Sequence, residues 1–394
     1  MKITRFQFAE RKTGWRLEEA RFDAFNLLVG VSGVGKTKIL DALGRLCRLA
    51  TESGAEPGEV EWVIAFEQEG QEYRWEGVTA RPEGHGGLEG MVSGPAPLEI
   101  SHEKIVRGEE VLIERNGDVF QFGAMQLPKL PKSDSAILLL RDEDSVRPLF
   151  RAFFSGVVFS RAATLKPTRA EAKDVQEITA AVDALQEQVN RGGTFDGFRD
   201  GMTSLNGRVF LEEPLLIAYM MQRAFPSEYD RLKVLFTDIF PSVREIRVAW
   251  LDKPKTEGYS YLEFNLQEAG SDVWIPQAEI SSGMIRTLAH LFEVTFAPPG
   301  TVIVVDEFEN SLGINCMPEL TRFLRTRTDC QFILTSHHPY VINNIPMATW
   351  KLVTRKGGLV RVTSASDIPA LRGASHHEAF LRLINLPEFE EGIG

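Results

Sequence analysis

Residues 25–40 read FNLLVGVSGVGKTKIL and combine a short apolar run, a glycine-rich loop and the start of a periodic helix. The apolar run at 25–29 is typical of a strand buried in a parallel sheet. The loop at 30–37 fits the pattern G-x-x-x-x-G-K-[ST], in which consecutive backbone N–H groups point at phosphate oxygens. The helix that follows presents its positive end to the same phosphates. The stretch therefore predicts a phosphate-binding loop in an α/β fold.

The residue types in this loop predict ATP and Mg²⁺ as its ligands. We expect Lys36 to reach the β- and γ-phosphates and the Thr37 hydroxyl to bind Mg²⁺. The residues expected to contact the nucleotide are Gly30, Ser32, Gly33, Val34, Gly35, Lys36, Thr37 and Lys38.

A second apolar run, TVIVVDEFEN at residues 301–310, ends in two acids. A buried strand there delivers Asp306 and Glu307 to its carboxyl end, where α/β sheets place their ligands. We expect Asp306 to hold Mg²⁺, often through water, and Glu307 to orient or deprotonate the attacking water. A strand that ends in a solvated acidic turn is the plainer alternative, and the phosphate loop upstream favours the catalytic interpretation.

Two adjacent histidines follow a third apolar run, in TSHHP at residues 335–339. They have no ligand partners at zinc spacing, so the sequence does not indicate a zinc site. A single imidazole that contacts the γ-phosphate explains the position better. We therefore expect His337 to act as a switch and assign no role to His338.

The fourth motif is ISSGMIRT, at residues 280–287, more than two hundred residues after the phosphate loop. Taken alone, Ser281, Ser282 and Gly283 are ordinary material for the start of a helix. The position gives the motif its weight, because about one helix and one strand separate it from Asp306.

The order of these four motifs resembles that of the ABC-class ATPases, and the long interval after the phosphate loop is similar to the branch with the SMC and RecF proteins. Within that branch, ISSGMIRT, VVDEFEN and TSHHPYVIN most resemble the OLD-like group of prokaryotic AAA-type ATPases. That group includes the OLD nucleases and components of abortive-infection and anti-phage systems. The resemblance covers about half of the chain.

The resemblance implies an ABC-type ATPase head with an antiparallel N-terminal β lobe, a parallel-sheet RecA-like core and a helical insertion. It also implies an ATP-sandwich homodimer. In that dimer Ser281, Ser282 and Gly283 of one subunit contact the γ-phosphate that Lys36 of the other subunit holds. Arg286 would support this contact or the dimer surface.

The chain departs from the family pattern at three places. Ser32 stands where many relatives carry Asn, and residues 312–314 read Leu-Gly-Ile where Leu-His-Pro is common. The glutamine of the Q-loop is not fixed by the sequence, and Gln121 and Gln126 are its candidates.

Hydrophobic periodicity divides the chain into four segments. They are an N-terminal ATPase lobe at 1–132, a mostly helical insertion at 133–235, a C-terminal ATPase lobe at 236–365 and a tail at 366–394.

Local patterns add detail to these segments. Runs at 60–67 and 71–78 predict a hairpin, and the Gly- and Pro-rich stretch 80–97 predicts an exposed loop. Thr168 and Glu171 predict a capping box before a single amphipathic helix, whose apolar repeat is too short for a coiled coil.

The chain of 394 residues carries a formal net charge of −11. Proteins that hold nucleic acid by phosphate neutralisation are usually basic, so this charge does not indicate such a partner, although arginines at 141–151 and 322–327 leave one open. No apolar run approaches the roughly 20 residues needed to cross a bilayer. Cys47, Cys316 and Cys330 fit neither a zinc nor a disulfide pattern. These features predict a cytoplasmic protein with no membrane partner.

The leading functional hypothesis is an ATPase that forms the sensor or engine of a prokaryotic anti-phage system and controls a separate effector, such as a nuclease or toxin. Only some fifty residues follow His337, too few for the nuclease domain of OLD-type ATPases. The alternative is a DNA-repair or chromosome-maintenance ATPase of the RecF or SMC kind. A transporter motor is disfavoured by the long interval between motifs, and a GTPase by the lack of an Asn-Lys-x-Asp motif.

Overall fold

The structure is a computed structural model, and it describes most of the chain. The predicted loop at 80–97, the turn at 253–258 and the acidic stretch 388–391 lie mostly outside the described residues. The described residues are 1–82, 97–160, 166–201, 213–252, 258–310, 312–313, 316–372, 376–386 and 389.

The chain forms two compact units. The first comprises Met1–Phe159, Gly300–Glu307 and Gln331–Gly394, and the second comprises Ser160–Pro299 and Phe308–Cys330. Both units are therefore built from segments that are far apart in the sequence.

The described strands alternate with helices along much of the chain. The strands are β1 (Lys2–Glu10), β2 (Trp15–Arg21), β3 (Phe25–Val29), β4 (Val60–Gln68), β5 (Gln71–Ala80), β6 (Glu99–Arg107), β7 (Glu110–Asn116), β8 (Val119–Phe122), β9 (Met125–Leu127), β10 (Val157–Phe159), β11 (Thr168–Glu171), β12 (Val243–Asp252), β13 (Tyr259–Glu268), β14 (Ile275–Pro276), β15 (Val302–Val305), β16 (Gln331–Thr335), β17 (Trp350–Lys356) and β18 (Leu359–Ser364).

The helices are α1 (Lys36–Thr51), α2 (Ala136–Leu139), α3 (Arg147–Phe154), α4 (Ala172–Asn190), α5 (Phe195–Gly201), α6 (Pro214–Ala224), α7 (Pro226–Ile239), α8 (Ser282–Phe296), α9 (Met317–Thr326), α10 (Pro339–Asn344) and α11 (His376–Ile384). Short 3₁₀ turns lie at Gln277–Glu279, Met347–Thr349, Ala365–Asp367 and Pro369–Leu371. Among the described helices, none is long and apolar enough to cross a bilayer.

The first unit contains a mixed sheet with strand order β10-β15-β16-β3-β17-β18-β2-β1-β4-β5-β6-β7-β8-β9. One end of the sheet is parallel and comprises β10, β15, β16, β3 and β17. The other end is antiparallel and comprises β2, β1 and β4 to β9. The predicted combination of a parallel core and an antiparallel lobe is confirmed. The predicted hairpin is confirmed too, since β4 pairs with β5 across a register that ends at Gln68 and Gln71.

Helix α1 packs its apolar face into the core of this unit. This face, which includes Leu43 and Leu46, is buried, as are Trp62 and Trp75 of the antiparallel lobe. Their rings meet edge to face with centroids 5.3 Å apart. Aromatic rings of this size contribute much of the apolar area that a core removes from water.

In the second unit, strand β13 pairs with β11, β12 and β14, and helices pack against this small sheet. Phe264 of β13 stacks on Phe292 of α8 with ring centroids 5.5 Å apart.

The predicted capping box of α4 was wrong in its position. Thr168 lies in strand β11, paired with Leu262, so the chain is still extended at this point. The helix is capped at Glu171, whose backbone N–H donates to the Asp174 carboxylate at 3.3 Å. Strand pairing therefore outweighed the local capping signal. The amphipathic helix itself is confirmed, and Val182 is its buried residue.

Candidate nucleotide-binding and catalytic site

The phosphate loop follows β3, which lies between β16 and β17. Gly30 has φ 151°, and a side chain there would place its Cβ 2.5 Å from the Val353 carbonyl oxygen of β17. Gly35 has φ 108° and is the N-cap of α1. The loop therefore needs glycine at Gly30 for close backbone approach and at Gly35 for a left-handed turn into the helix.

Lys36 lies in the first turn of α1, and its Nζ donates to the carbonyl oxygens of Gly30 at 2.7 Å and Val31 at 3.1 Å. The ammonium group is thus held over the opening of the loop by the loop's own backbone. An anion in the loop would meet this positive charge together with the N–H groups of the helix start.

The other loop positions differ in exposure. Ser32 and Gly33 are exposed, whereas the Val34 side chain is buried beneath the loop. Lys38 is exposed and lies over the ring of Trp15, 5.7 Å from its centroid.

Thr37 and Asp306 meet at the carboxyl ends of β3 and β15. The Thr37 Oγ1 donates to Asp306 Oδ2 at 2.9 Å, and both side chains are exposed. One hydroxyl and one carboxylate are the hard oxygen ligands that Mg²⁺ uses beside nucleotide phosphates and water. These two residues therefore fit Mg²⁺, as the sequence predicts.

Glu307 follows Asp306 in an unusual backbone conformation, with φ 46°. Its N–H donates to Thr335 Oγ1 at 2.8 Å, and the Thr335 hydroxyl donates to Asp306 Oδ1 at 2.5 Å. Non-glycine residues with positive φ are uncommon and cluster at functional sites. The strand end thus turns sharply and presents Glu307 as an exposed side chain.

The two histidines have different surroundings. His337 is exposed and follows Ser336, whose N–H donates to the Leu28 carbonyl at 3.1 Å. His338 is the N-cap of α10, and its Nδ1 accepts from the Tyr340 N–H at 3.2 Å. This contact gives His338 a structural role and leaves His337 as the histidine beside the loop strand.

The signature motif begins helix α8 in the second unit. Ser281 is an exposed N-cap, and its Oγ accepts from the Met284 N–H at 3.3 Å. Ser282 is exposed as well, and Gly283 is half-buried. Arg286 is only 5 % exposed, so it offers little surface of its own, and its support of the signature contact stays a prediction.

Strand order argues against both Q-loop candidates. Gln121 and Gln126 face each other across β8 and β9, at the opposite end of the sheet from β10 and β15. The strand beside β15 is β10, whose last residue, Phe159, pairs with Val304. Sequence reasoning missed this because β10 has only three residues.

Two further residues were not predicted from the sequence. Thr335 was quoted only as part of a motif, yet it contacts both Asp306 and Glu307. Arg355 of β17 donates from Nη1 to the Gly33 carbonyl of the phosphate loop at 3.4 Å. Neither contact has a signal in local sequence, because each joins residues from distant parts of the chain.

A protein-family comparison matches residues 174–343 to the family described as "AAA domain, putative AbiEii toxin, Type IV TA system". The matched stretch includes the signature, the acidic strand and the histidine motif, and it begins after the phosphate loop. No curated protein matches the chain.

Among solved structures, the chain is similar to an SMC head bound to the C-winged helix domain of ScpA, at 14% identity and TM-score 0.50, over 92% of this chain and 97% of that one. An SMC head domain from Thermotoga maritima matches at 14% identity and TM-score 0.42, over 92% and 99%. An SMC head with an extended coiled coil from Pyrococcus furiosus, bound to the C-terminal domain of ScpA, matches at 13% identity and TM-score 0.44, over 92% and 96%.

The first of these likenesses shows the fold. The chain therefore has the fold of an SMC head, and its residues 174–343 are similar to the AbiEii-like AAA domain family.

Proposed function

We propose that this protein binds and hydrolyses MgATP as an ATP-sandwich homodimer, and that the dimer controls a separate effector, a nuclease or toxin, in a prokaryotic anti-phage system. The observation that carries the ATPase part is the contact between Thr37 and Asp306, because it joins the phosphate loop to the acidic strand at 2.9 Å.

Different side chains of the first unit bind the phosphates, hold the metal and act on the attacking water. Lys36 binds the β- and γ-phosphates, and Thr37 and Asp306 hold Mg²⁺, which when bound neutralises charge on those phosphates. Glu307 accepts a proton from the attacking water, and His337 contacts the γ-phosphate. The exposed Glu307 carboxylate at the strand end supports this assignment.

The dimer part of the proposal rests on the signature. Ser281, Ser282 and Gly283 of one copy meet the γ-phosphate that Lys36 of the other copy holds. The exposed N-terminus of α8 supports this role, since backbone N–H groups at a helix start favour an anion. ATP is then an interface ligand, so it binds the closed dimer better than separate subunits and shifts the population toward it.

The anti-phage role rests on the family comparison, whose description names an AbiEii toxin and a type IV toxin–antitoxin system. Fold alone does not imply function, and the likeness to SMC heads fits the DNA-maintenance alternative equally well. The acidic net charge of −11 favours a protein effector over a nucleic-acid partner.

Phosphate release by the purified chain with MgATP tests the enzymatic part, and the molar mass measured by light scattering tests dimer formation. We expect hydrolysis and an ATP-dependent dimer in the wild type, and neither in Lys36→Ala. A wild type that releases no phosphate above the Lys36→Ala background contradicts the ATPase, and a monomer at saturating ATP contradicts the sandwich.

Phage plating on cells that carry this gene with its native neighbours tests the biological role. We expect protection that Lys36→Ala abolishes. Unchanged plating together with sensitivity to DNA damage in a deletion strain would favour the DNA-maintenance alternative.

A further inference from the structure

Thr335 is the last residue of β16, between the strands that carry the acidic pair and the phosphate loop. Its neighbour Leu334 pairs with Val305 of β15, and Thr335 itself pairs with Leu28 of β3. The Thr335 side chain is only 1 % exposed. Thr335 is therefore held between two neighbouring strands, β15 and β3.

The directions of the two hydrogen bonds at this hydroxyl are determined by their partners. A backbone N–H can only donate, so Thr335 Oγ1 accepts from Glu307 at 2.8 Å. The single proton of the hydroxyl then goes to Asp306 Oδ1 at 2.5 Å. One side chain thus contacts both acids, with opposite polarity.

Asp306 accepts a hydroxyl proton on each of its oxygens. Thr335 donates to Oδ1 and Thr37 donates to Oδ2. These two hydrogen bonds together orient the Asp306 carboxylate. Hydrogen bonds that orient a ligating carboxylate fix its geometry toward the metal. The oxygen that faces Thr37 is therefore aimed at the Mg²⁺ position proposed above.

Glu307 gains its unusual conformation in the same place. Its φ of 46° is unfavourable for a residue with a side chain, and the bond from its N–H to Thr335 is made in that conformation. Without the hydroxyl, this hydrogen bond would be lost and the turn would be less firmly held. The direction of the Glu307 side chain depends on the turn.

We propose that Thr335 is a positioning residue for ATP hydrolysis: its hydroxyl orients Asp306 toward the metal and holds Glu307 in the conformation that serves the attacking water. This inference rests on the proposed ATPase activity. Thr335 is expected to affect mainly kcat, because neither hydrogen bond of its hydroxyl goes to the nucleotide-binding backbone of residues 30–36.

Thr335→Val and Thr335→Ser test the role. Valine keeps the shape and removes the hydroxyl, whereas serine keeps the hydroxyl. We expect Thr335→Val to lower kcat by about 10–100-fold, the range for residues that orient a metal ligand, with a smaller change in the dissociation constant for MgATP. Thr335→Ser should retain most of the wild-type kcat.

Thr51→Val is the matched control, since it removes another buried hydroxyl, which donates to the Cys47 carbonyl at 2.7 Å, away from the site. We expect its kcat to equal that of the wild type.

The outcomes separate this inference from the proposed function. A wild type without activity contradicts the ATPase itself. An active wild type with an equally active Thr335→Val overturns the role of Thr335. A Thr335→Val that loses thermal stability and MgATP affinity as well as kcat, with no rescue by serine, shows a purely structural residue and also overturns it.

Discussion

Thr37 and Asp306 are separated by 269 positions in the chain, and the hydroxyl of the first donates to the carboxylate of the second at 2.9 Å. This contact joins the end of the phosphate loop to the end of the acidic strand. It is possible because β3 and β15 are parallel and only β16 lies between them. Carboxyl ends of parallel strands share one edge of a sheet, which is where ligands bind in α/β folds.

Replacement of Glu307 by glutamine should separate ATP binding from hydrolysis. Glutamine has nearly the same shape but cannot accept the proton of water, so we expect kcat to fall by about 10²–10⁴-fold. The dissociation constant for MgATP should stay within about threefold of the wild type, a difference of less than 1 kcal/mol. ATP should then trap the dimer, which size-exclusion chromatography with light scattering would measure.

Glu69→Gln is the control for this substitution. Glu69 is an exposed acid in the turn between β4 and β5 and also has positive φ, at 51°. We expect normal turnover. Normal turnover in Glu307→Gln would instead remove Glu307 from its catalytic role.

Replacement of Ser281 by arginine should block turnover that depends on two subunits. A long cationic side chain at the exposed start of α8 would obstruct the approach of a second copy. ATP binding to the single chain, measured by calorimetry, should persist because the phosphate loop is unchanged.

Ser281→Ala controls for the loss of the helix cap, which costs roughly 1 kcal/mol of stability. The alanine variant should keep more activity than the arginine variant. Full turnover in Ser281→Arg would contradict the shared site.

Gly30→Ala should disrupt the phosphate loop more than Gly33→Ala. A Cβ on Gly30 would stand 2.5 Å from the Val353 carbonyl, whereas a Cβ on Gly33 meets nothing within 4 Å. Both glycines have positive φ, so both variants bear a conformational cost of roughly 1–2 kcal/mol. Only Gly30→Ala adds a backbone clash, worth about 1–3 kcal/mol more.

Thermal unfolding and ATP titration would measure this difference. We expect Gly30→Ala to have the lower midpoint and the weaker ATP binding. Equal effects in the two variants would show that the approach of β17 to Gly30 does not shape the loop.

Glu103→Gln should destabilise the antiparallel lobe. Glu103 is fully buried, accepts from the Trp75 indole N–H at 3.0 Å and lies 3.8 Å from the guanidinium of buried Arg115. Removal of its charge leaves the buried arginine without its nearest carboxylate partner, and we expect a loss of about 3 kcal/mol in the free energy of unfolding.

Glu110→Gln breaks the exposed pair with Arg107 at the turn of the same β6–β7 hairpin and is the matched control. Exposed pairs contribute roughly 0–1 kcal/mol, so urea unfolding should barely change. Similar midpoints for the two variants would show that the buried pair contributes no more than an exposed one.

Elements with a strong local signal were predicted well. The apolar run, glycines and helix periodicity of residues 25–50 correspond to β3, the loop and α1. The hairpin of β4 and β5 was readable because alternation and a turn lie together in the sequence. The cap of α4 was misplaced, since pairing of Thr168 with Leu262 extended the chain.

Glycine conformations, charges and hydroxyls are local properties, so the residue types that could bind phosphate and metal were readable in the chain. Which strands are neighbours depends on tertiary packing. The strand order brings Thr335 to both Asp306 and Glu307 and places Gln121 and Gln126 at the far end of the sheet. The physical reason is that the order of the strands depends on burial across the whole core, and no short window of sequence contains Thr335 together with its two partners.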